Sequence, residues 1–291
     1  MKKSKKAKIG IIGCGNMGRA IAERIKSIFK TVIFDKDAAK TRNITKVITA
    51  PNLTELVNIA DVVILAIKPQ DFNEVLGEIK NSIDNKLVIS IAAGISTKYI
   101  EKILGKARVI RVMPNLLVKI GEGVTALCNG EFATADDLGL AQEIFDKVGT
   151  TIVLEEKMMD ADTAFLGSGP GFHFDLLSRI EKERWPEFTE NEFIPSFAAS
   201  GEKVGFSREQ AKLFAELIAK GDLVLLEELN ESPGALCIRV TSKGGTTEAG
   251  LKELKGDVER LPNAVEAARK RAEELSNEAA TFQAKRRRKV A

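Results

Sequence analysis

Short apolar runs alternate with amphipathic stretches through the first half of the chain. The β-branched runs predict strands at Ala7–Gly13, Thr31–Asp35, Lys46–Thr49, Asp61–Ala66, Leu87–Ser90, Arg108–Val112, Gly123–Leu127 and Thr151–Leu154. Apolar positions three and four apart predict helices between them, among them Met17–Ile28, Leu53–Ile59, Phe72–Ile79 and Thr134–Lys147. This alternation is typical of a parallel sheet that is covered by helices on both faces.

The pattern changes near Asp160, after which β-branched runs disappear and long amphipathic segments follow. The clearest helix is Ser207–Leu229, with Ser207 as N-cap and Gln210 completing a capping box. We therefore predict an α/β protein in which residues 1–160 form a Rossmann-type, doubly wound, mostly parallel sheet. Residues 161–280 are predicted to form an all-helical domain for dimerisation and substrate binding, because its apolar faces need a partner and make a homodimer the minimum. The polar segment Ser178–Pro195 predicts a short helix end and a surface excursion.

Composition narrows the function classes. The 291 residues favour two domains, and 44% hydrophobic with 29% charged residues is ordinary for a globular protein. A net charge of +3 gives no reason to expect nucleic acid as a partner, and the basic ends, including residues 281–291, are predicted to be disordered tails. Cys14, Cys128 and Cys237 lie far apart, which indicates neither disulfides nor a metal site. Without a signal peptide or an apolar run of about twenty residues, the sequence predicts a cytoplasmic protein that does not enter a membrane.

A glycine-rich turn follows the first predicted strand. In KIGIIGCGNMG, Gly13, Gly15 and Gly18 have the GxGxxG spacing between a strand and a helix. Gly13 permits a tight turn, Gly15 lets the backbone approach a pyrophosphate, and Gly18 lets the helix pack on the strand. The helix that begins near Asn16 and Met17 offers N–H groups to the anion. The sequence thus predicts a dinucleotide site, with a ligand-free glycine turn as the alternative.

The next strand closes with an acid that bears on cofactor choice. Asp35 can accept hydrogen bonds from the ribose hydroxyls and would repel a 2′-phosphate, which favours NADH over NADPH. Lys36 and Lys40 follow closely and offset that repulsion. Either NADH or NADPH therefore remains possible, with NADH preferred.

Two further loops fall where later strands of the predicted sheet end. Ala66, Lys68 and Pro69 follow the fourth strand, and Ala92 and Gly94 follow the fifth. Ligands of open α/β sheets bind at these carboxyl ends, so we expect the five residues to border the cofactor. Ordinary loop chemistry is the alternative reading.

Six motifs, in order, resemble the pyrroline-5-carboxylate reductase family from about Lys8 to Ser276: GCGNMG, AIKPQD, AAGI, RVMPN, GSGP and VTSKGGTTEAG. The resemblance implies a Rossmann domain followed by a helical dimerisation domain, with the active site between them and often assembled across subunits. It also implies NAD(P)H-dependent reduction of 1-pyrroline-5-carboxylate to L-proline, the last step of proline biosynthesis. Asn115, in the RVMPN motif, would then bind the cofactor beside the nicotinamide.

The last motif is the candidate substrate loop. Gly244 and Gly245 predict a nest of backbone N–H groups for the substrate carboxylate, strengthened by the helix that follows. The resemblance implies that Thr247 lies against the imine nitrogen, which makes Thr247 and Ser242 the candidate catalytic residues. Val240, Gly244, Gly245 and Thr246 would bind the substrate. The alternative is that Ser242 to Gly245 only cap a helix.

Four further residues bear on how far the resemblance extends. His173 is the only histidine, and on an apolar helix it is expected to pack in the core rather than act as a base. Leu116 and Leu117 stand where the family usually has Thr-Pro, and their apolar side chains could pack a ring face. Lys243 replaces a common proline in the substrate loop.

Two other functions stay open at this stage. The chain could reduce a related cyclic imine acid, because the polar segment Ser178–Pro195 lies close to the expected pocket. It could also be a catalytically weakened dinucleotide-binding protein. A β-hydroxyacid dehydrogenase is disfavoured, because GSGP is followed by Gly171-Phe172-His173 rather than by that family's lysine motif.

Overall fold

A computed structural model describes residues 7–287, with side chains through residue 278. Within these residues the strands are β1 Lys8–Ile12, β2 Lys30–Phe34, β3 Ile48–Thr49, β4 Val62–Leu65, β5 Leu87–Ser90, β6 Arg108–Met113, β7 Gly123–Asn129 and β8 Gly149–Val153. They form one sheet in the order β3-β2-β1-β4-β5-β6-β7-β8. The pairs from β3 through β6 are parallel. The predicted mostly parallel sheet is confirmed.

The strand order positions the first candidate site. The chain runs outward from β1 to β3, then crosses back so that β4 lies on the other side of β1. Such a reversal leaves a crevice at the carboxyl ends of the strands. The central strands β4 and β5 are buried along their whole length, which is why VVIL and LVIS read as continuous apolar runs.

Five α-helices alternate with the strands: α1 Asn16–Ile25, α2 Leu53–Ile59, α3 Phe72–Ile79, α4 Thr97–Leu104 and α5 Ala135–Phe145. Each buries an apolar stripe; in α1 the stripe includes Ile21 and Ile25. Thr134 and Asp137 form a capping box that fixes the start of α5. Local signals of this kind explain why the predicted bounds of these helices lie close to the observed ones.

The remaining α-helices follow the sheet: α6 Met159–Asp162, α7 Gly169–Leu177, α8 Trp185–Phe188, α9 Ile194–Lys203, α10 Arg208–Leu229, α11 Pro233–Val240, α12 Thr246–Leu254 and α13 Leu261–Arg287. The predicted capping box of Ser207 and Gln210 begins α10. Single π-turns occupy Thr163–Gly167 and Thr189–Phe193. Short 3₁₀ helices cover Ala38–Lys40, Pro69–Asp71, Lys80–Ser82, Leu116–Lys119, Glu156–Met158, Lys182–Arg184 and Val258–Arg260.

The described chain divides into two compact units. Unit 1 contains residues 7–112, Leu127–Glu156 and residues 279–287, and unit 2 contains Met113–Ala126 and residues 157–278. The segment Met113–Ala126 therefore departs from the prediction that residues 1–160 form one domain. It joins unit 2 because fully buried Leu117 packs against the backbone of Gly221, where an added Cβ would lie 2.5 Å from Leu117 Cδ1. Because Leu117 is fully buried there, it is unable to pack against the face of a bound ring, which the sequence had suggested it could do.

The segment Ser178–Pro195 is largely exposed, as its polarity predicts, but it runs as a series of helical turns. Phe188 and Phe193 are buried and anchor these turns to the core. Trp185 Nε1 donates to the Leu177 carbonyl oxygen at 3.1 Å, which ties this segment back to the end of α7. Burial of the aromatic side chains on one helix face determines the path of this segment, although most of the residues around them are polar.

The last helix runs further than the predicted disordered tail allows. The backbone of α13 continues to Arg287, because no glycine or proline interrupts the chain between Asn263 and that residue. The rest of the basic tail, residues 288–291, and most of the basic N-terminal cluster lie outside the described residues. No helix within residues 7–287 combines the length and apolar character that crossing a bilayer requires.

Candidate functional site

The glycine turn after β1 is held by backbone contacts that exclude other side chains. Gly13 has φ +98°, and its N–H donates to the Phe34 carbonyl oxygen at 2.8 Å. A Cβ on Gly13 would lie 2.4 Å from the Ala66 carbonyl oxygen, and one on Gly18 would lie 2.0 Å from the Gly13 carbonyl oxygen. The turn is therefore locked between β1, β2 and β4, as the motif predicts.

The outer side of the same turn is open. A Cβ on Gly15 would meet nothing within 4 Å. Gly15 is also the N-cap of α1 with no side-chain cap hydrogen bond, and the first turn of α1 has no acidic residue. The N–H groups of Asn16 and Met17, at the start of this helix, have no intrahelical acceptor. An exposed backbone with helical N–H groups fits the pyrophosphate of a dinucleotide.

A cleft of about 430 Å³ opens at the carboxyl ends of β1, β2 and β4. It brings together five of the predicted cofactor residues: Gly13, Gly15, Asp35, Ala66 and Lys68. Pro69 lies in the 3₁₀ helix between Lys68 and Gln70, which both line the cleft. Sequence reasoning missed several lining residues, which are Ile12, Phe34, Leu53, Ile67, Gln70, Asp71, Glu74, Val75 and Glu78. Ile12 and Phe34 are the last residues of β1 and β2, and Leu53, Glu74 and Val75 lie in the first turns of α2 and α3, which is the signal that could have located them.

Asp35 is already hydrogen-bonded inside unit 1. Its Oδ2 accepts from the Cys14 backbone N–H at 2.7 Å and its Oδ1 accepts from the Asp37 N–H at 2.9 Å. Lys40 Nζ lies 3.8 Å from Oδ1, and only 7% of the Asp35 side chain is exposed. Burial, followed by the charge of Asp35, raises the pKa of the Cys14 thiol to about 11. The loop therefore presents a neutral thiol and a braced carboxylate.

Seven predicted cofactor residues do not line this cleft: Asn16, Met17, Gly18 and Pro69 lie within three residues of a lining residue in the chain, and the other three are Ala92, Gly94 and Asn115. Ala92 is buried just after β5, and Gly94 follows with φ +73°. Asn115 belongs to unit 2, where its Nδ2 donates to the Leu166 carbonyl oxygen at 3.5 Å and its Oδ1 accepts from the Val124 N–H at 3.2 Å. The Asn115 amide thus braces the backbone of unit 2.

In unit 2, the predicted catalytic threonine packs directly on helix α7. A Cβ on Gly171 of α7 would lie 2.4 Å from Thr247 Cγ2 and 3.3 Å from Val240 Cγ1. Thr247 is buried, and Val240 is half-buried. The missing side chain at Gly171 therefore sets how closely α11 and α12 approach α7.

A hydroxyl pair joins the GSGP and GGTT motifs. Ser168 Oγ lies 3.0 Å from Thr246 Oγ1, and Ser168 Oγ also donates to the Thr163 carbonyl oxygen at 3.3 Å. Ser168 is fully buried and precedes α7, which carries Pro170 in its first turn as predicted. Thr246 donates its hydroxyl hydrogen to Ser168, since the Ser168 hydroxyl hydrogen is used elsewhere. Two motifs far apart in sequence thus meet within unit 2.

The predicted anion nest at Gly244 and Gly245 is wrong in detail. The Gly244 N–H donates to Glu248 Oε2 at 2.7 Å, and the Gly245 N–H donates to the Ser242 carbonyl oxygen at 2.9 Å. Both groups are therefore occupied by internal acceptors. Gly245 is the N-cap of α12 and supplies no side-chain cap, so the N–H groups of Thr246 and Thr247, in the first turn, have no intrahelical acceptor. Ser242 itself is exposed.

His173 lies in the helical core of unit 2, in line with its interpretation as a packing residue. Its Nδ1 is 3.0 Å from Asp222 Oδ2, its Nε2 is 3.0 Å from Thr189 Oγ1, and its ring stacks on Phe193 at 4.0 Å. Burial lowers the pKa of the His173 imidazole to about 3 and raises the pKa of Asp222 well above its usual value. These pKa directions favour the neutral form of both groups, in which the Asp222 carboxyl would donate to Nδ1 and the Nε2–H to Thr189.

Comparisons with known proteins agree with this arrangement. Residues 8–94 match the family model described as NADP oxidoreductase coenzyme F420-dependent, and residues 191–275 match the model of pyrroline-5-carboxylate reductase dimerisation. The chain is 36% identical over 253 residues to the pyrroline-5-carboxylate reductase of Aquifex aeolicus, covering 85% of this chain and 88% of that protein. The solved pyrroline-5-carboxylate reductase of Coxiella burnetii superposes with a TM-score of 0.63 at 31% identity, covering 93% of this chain and 99% of the other. The Plasmodium falciparum pyrroline carboxylate reductase, solved with NADP bound, gives a TM-score of 0.60 at 27% identity, with coverage of 93% and 98%.

The Rossmann-type sheet, its open glycine turn and these matches define an oxidoreductase of the dinucleotide-binding class. Similarity of this extent to a named reductase covers both units and not the nucleotide-binding part alone. The chain belongs to the pyrroline-5-carboxylate reductase family.

Proposed function

We propose that the protein reduces 1-pyrroline-5-carboxylate to L-proline with a nicotinamide dinucleotide. The observation that carries the proposal is that 36% identity to a pyrroline-5-carboxylate reductase extends over 85% of the chain. The reaction adds a hydride to the imine carbon and leaves one proton on the nitrogen, so that the C=N double bond becomes a single bond. The bound dinucleotide supplies the hydride.

The substrate would be held by unit 2. Its carboxylate suits the N-terminus of α12, where the Thr246 and Thr247 N–H groups and the helix dipole favour an anion. The Thr247 hydroxyl then serves as the hydrogen-bonding partner of the imine nitrogen. A hydroxyl suffices in that role, because an iminium substrate near neutral pH already carries its proton. Ser242, exposed on the same loop, is the second candidate at the nitrogen or the carboxylate.

The direct test is turnover of purified protein with 1-pyrroline-5-carboxylate and either NADH or NADPH, followed by loss of the reduced cofactor's absorbance. We expect proline as the product and turnover with at least one cofactor. A panel of other cyclic imine acids distinguishes a related substrate, and cofactor binding without turnover on any of them would indicate a weakened homologue. Folded protein that turns over no member of the panel sinks the proposal.

For the cofactor itself, we propose that NADH is preferred. Asp35 keeps a carboxylate on the cleft wall, while Lys36 is drawn into an ion pair with Asp71 at 3.1 Å and Lys40 lies nearest Asp35. These carboxylates therefore partly neutralise the positive charge that Lys36 and Lys40 offer to a 2′-phosphate. The Plasmodium falciparum relative was solved with NADP bound, so a preference for NADPH is the other outcome to test.

Substituting Asp35→Asn tests this preference. The asparagine side-chain oxygen can still accept the Cys14 N–H, which keeps that tie to the turn, while one negative charge and the acceptor for the Asp37 N–H are lost. We expect the ratio of kcat/KM for NADPH to that for NADH to rise by about tenfold, the size of one charge interaction near a surface. Glu78→Gln, which neutralises another cleft carboxylate, is the control and should leave the ratio within about twofold. Equal ratios in the wild type and Asp35→Asn would show that Asp35 does not select the cofactor.

We further propose that unit 2 forms a homodimer. Large apolar side chains are exposed on its helices in the single chain, with Ile238 76% exposed on α11 and Leu213 51% exposed on α10. Both lie within the segment that matches the dimerisation model. Sedimentation velocity should give at least twice the chain mass of 31.7 kDa. Leu213→Glu should weaken association, while Ile48→Glu, at an exposed apolar position of unit 1, should not. A monomer at all concentrations would refute the proposal.

A further inference from the structure

The loop between α11 and α12 is held at a single residue, Gly244, from two sides. The Gly244 N–H donates to Glu248 Oε2 at 2.7 Å, and the Gly244 carbonyl oxygen accepts from Arg271 Nε at 2.8 Å. Gly244 has φ +71°, the left-handed region that glycine adopts at little steric cost. Both hydrogen bonds are charge-assisted, which makes them stronger than bonds between neutral groups.

The arginine that holds the carbonyl is itself fixed. Arg271 lies on α13, and its Nη1 donates to Glu274 Oε2 at 2.8 Å and to Glu278 Oε1 at 3.0 Å. Only 25% of its side chain is exposed. A planar guanidinium with these carboxylate partners keeps its orientation, so the Nε–H remains aimed at Gly244. The grip therefore comes from a preformed group on a long helix.

Gly244 lies at the centre of the candidate substrate loop. Gly245 follows it as the N-cap of α12, and the Gly245 N–H donates to the Ser242 carbonyl oxygen at 2.9 Å. A shift of the Gly244 peptide would consequently move both Ser242 and the first N–H groups of α12. Neither Arg271 nor Glu248 belongs to the set of groups that contact the substrate in the proposed function.

We propose that Arg271 and Glu248 are positioning residues, which hold the Gly244 peptide so that the loop from Ser242 to Thr247 keeps its substrate-binding geometry. This inference rests on the proposed function. It assigns to α13, whose sequence shows only a charged helix face, a part in substrate affinity. Outer groups that orient binding residues commonly matter in this way.

Arg271→Met is the first test. Losing one charge-assisted hydrogen bond should raise KM for 1-pyrroline-5-carboxylate by about tenfold, while KM for the dinucleotide changes by less than about twofold. Arg271→Lys, which keeps a donor without the planar fork, should fall between the wild type and Arg271→Met. Lysine also serves as the second variant if the methionine variant does not fold. Glu248→Gln, which keeps an acceptor for the Gly244 N–H, should resemble the wild type, whereas Glu248→Ala should not.

Arg269→Met is the matched control. Arg269 lies two positions earlier on α13, and its side chain donates hydrogen bonds to Glu266 and Glu273 rather than to the loop. It should leave the substrate KM unchanged. An equal rise in KM for the Arg269 and Arg271 variants, or none for Arg271, would overturn the proposal.

Hydrogen–deuterium exchange separates this inference from the proposed function. Backbone amides of residues 241–247 should exchange faster in Arg271→Met than in Arg269→Met, whether or not the enzyme turns over. Unchanged exchange overturns the grip. Absence of wild-type turnover, with exchange altered as expected, would instead sink the proposed function and with it the role in substrate affinity.

Discussion

Replacing Gly171 with alanine is expected to lower kcat/KM for 1-pyrroline-5-carboxylate by about 100-fold, the effect of moving a reacting group by about 1 Å. The added Cβ would lie 2.4 Å from Thr247 Cγ2, and no real pair of carbons packs so closely. The contact can be relieved by rotating Thr247 about χ1 or by moving α12 away from α7. Either response displaces the Thr247 hydroxyl. Dinucleotide affinity, measured by fluorescence titration, should stay within about twofold.

The same contact provides its own rescue. Thr247→Ser removes the Cγ2 methyl and keeps the hydroxyl, so the double variant Gly171→Ala, Thr247→Ser should recover most of the lost activity. Gly234→Ala on α11 is the matched control, because a Cβ there would meet nothing within 4 Å. Low activity in the double variant, equal to that of Gly171→Ala alone, would contradict this account of the contact.

Replacing Asp222 with alanine is expected to reduce the free energy of unfolding by about 2–4 kcal/mol. The substitution opens a cavity in the buried core and leaves His173 Nδ1, which the Asp222 carboxyl faces at 3.0 Å, without its partner. Denaturant unfolding monitored by circular dichroism measures the loss. Asp222→Asn should cost less than about 1 kcal/mol, since the amide N–H can still donate to Nδ1.

The asparagine variant also reveals the charge state of the pair. Burial raises the pKa of Asp222 in the folded protein above its ordinary value of 3.8, so its contribution to stability is present below that pH and is lost as pH rises toward the folded pKa. The wild type should therefore lose stability relative to Asp222→Asn above about pH 4, by up to about 1.4 kcal/mol per pH unit. A difference that does not change with pH would mean that Asp222 is ionised in the folded state.

Much of the fold can be predicted from local sequence. The eight strands are short β-branched runs, and capping boxes visible in the sequence mark the starts of α5 and α10. The glycine turn is equally local, because Gly13 and Gly18 answer steric demands from the turn itself and the adjoining strand, while Gly15 leaves the outer side of the turn open. For these elements, period and spacing carry the information.

The rest depends on contacts between distant positions. Nothing near Leu117 indicates that it packs on Gly221, and nothing near Gly244 indicates that Arg271 holds its carbonyl oxygen. The nest prediction failed for the related reason that Glu248, four residues along, takes the Gly244 N–H. Polar composition indicated the exposure of Ser178–Pro195 but not its helical turns, which buried Phe188 and Phe193 anchor to the core.

The bond between Asp35 and the Cys14 N–H has a consequence for redesigning coenzyme choice. The Asp35 carboxylate holds the glycine turn and, as proposed, also reads the ribose edge, so shortening it to serine or glycine would relax the turn together with the selectivity. A variant built that way would trade affinity for the whole coenzyme against discrimination between its two forms. Retuning through the outward-facing Lys36, whose only described tie is to Asp71, would leave the Asp35 bond to the turn intact.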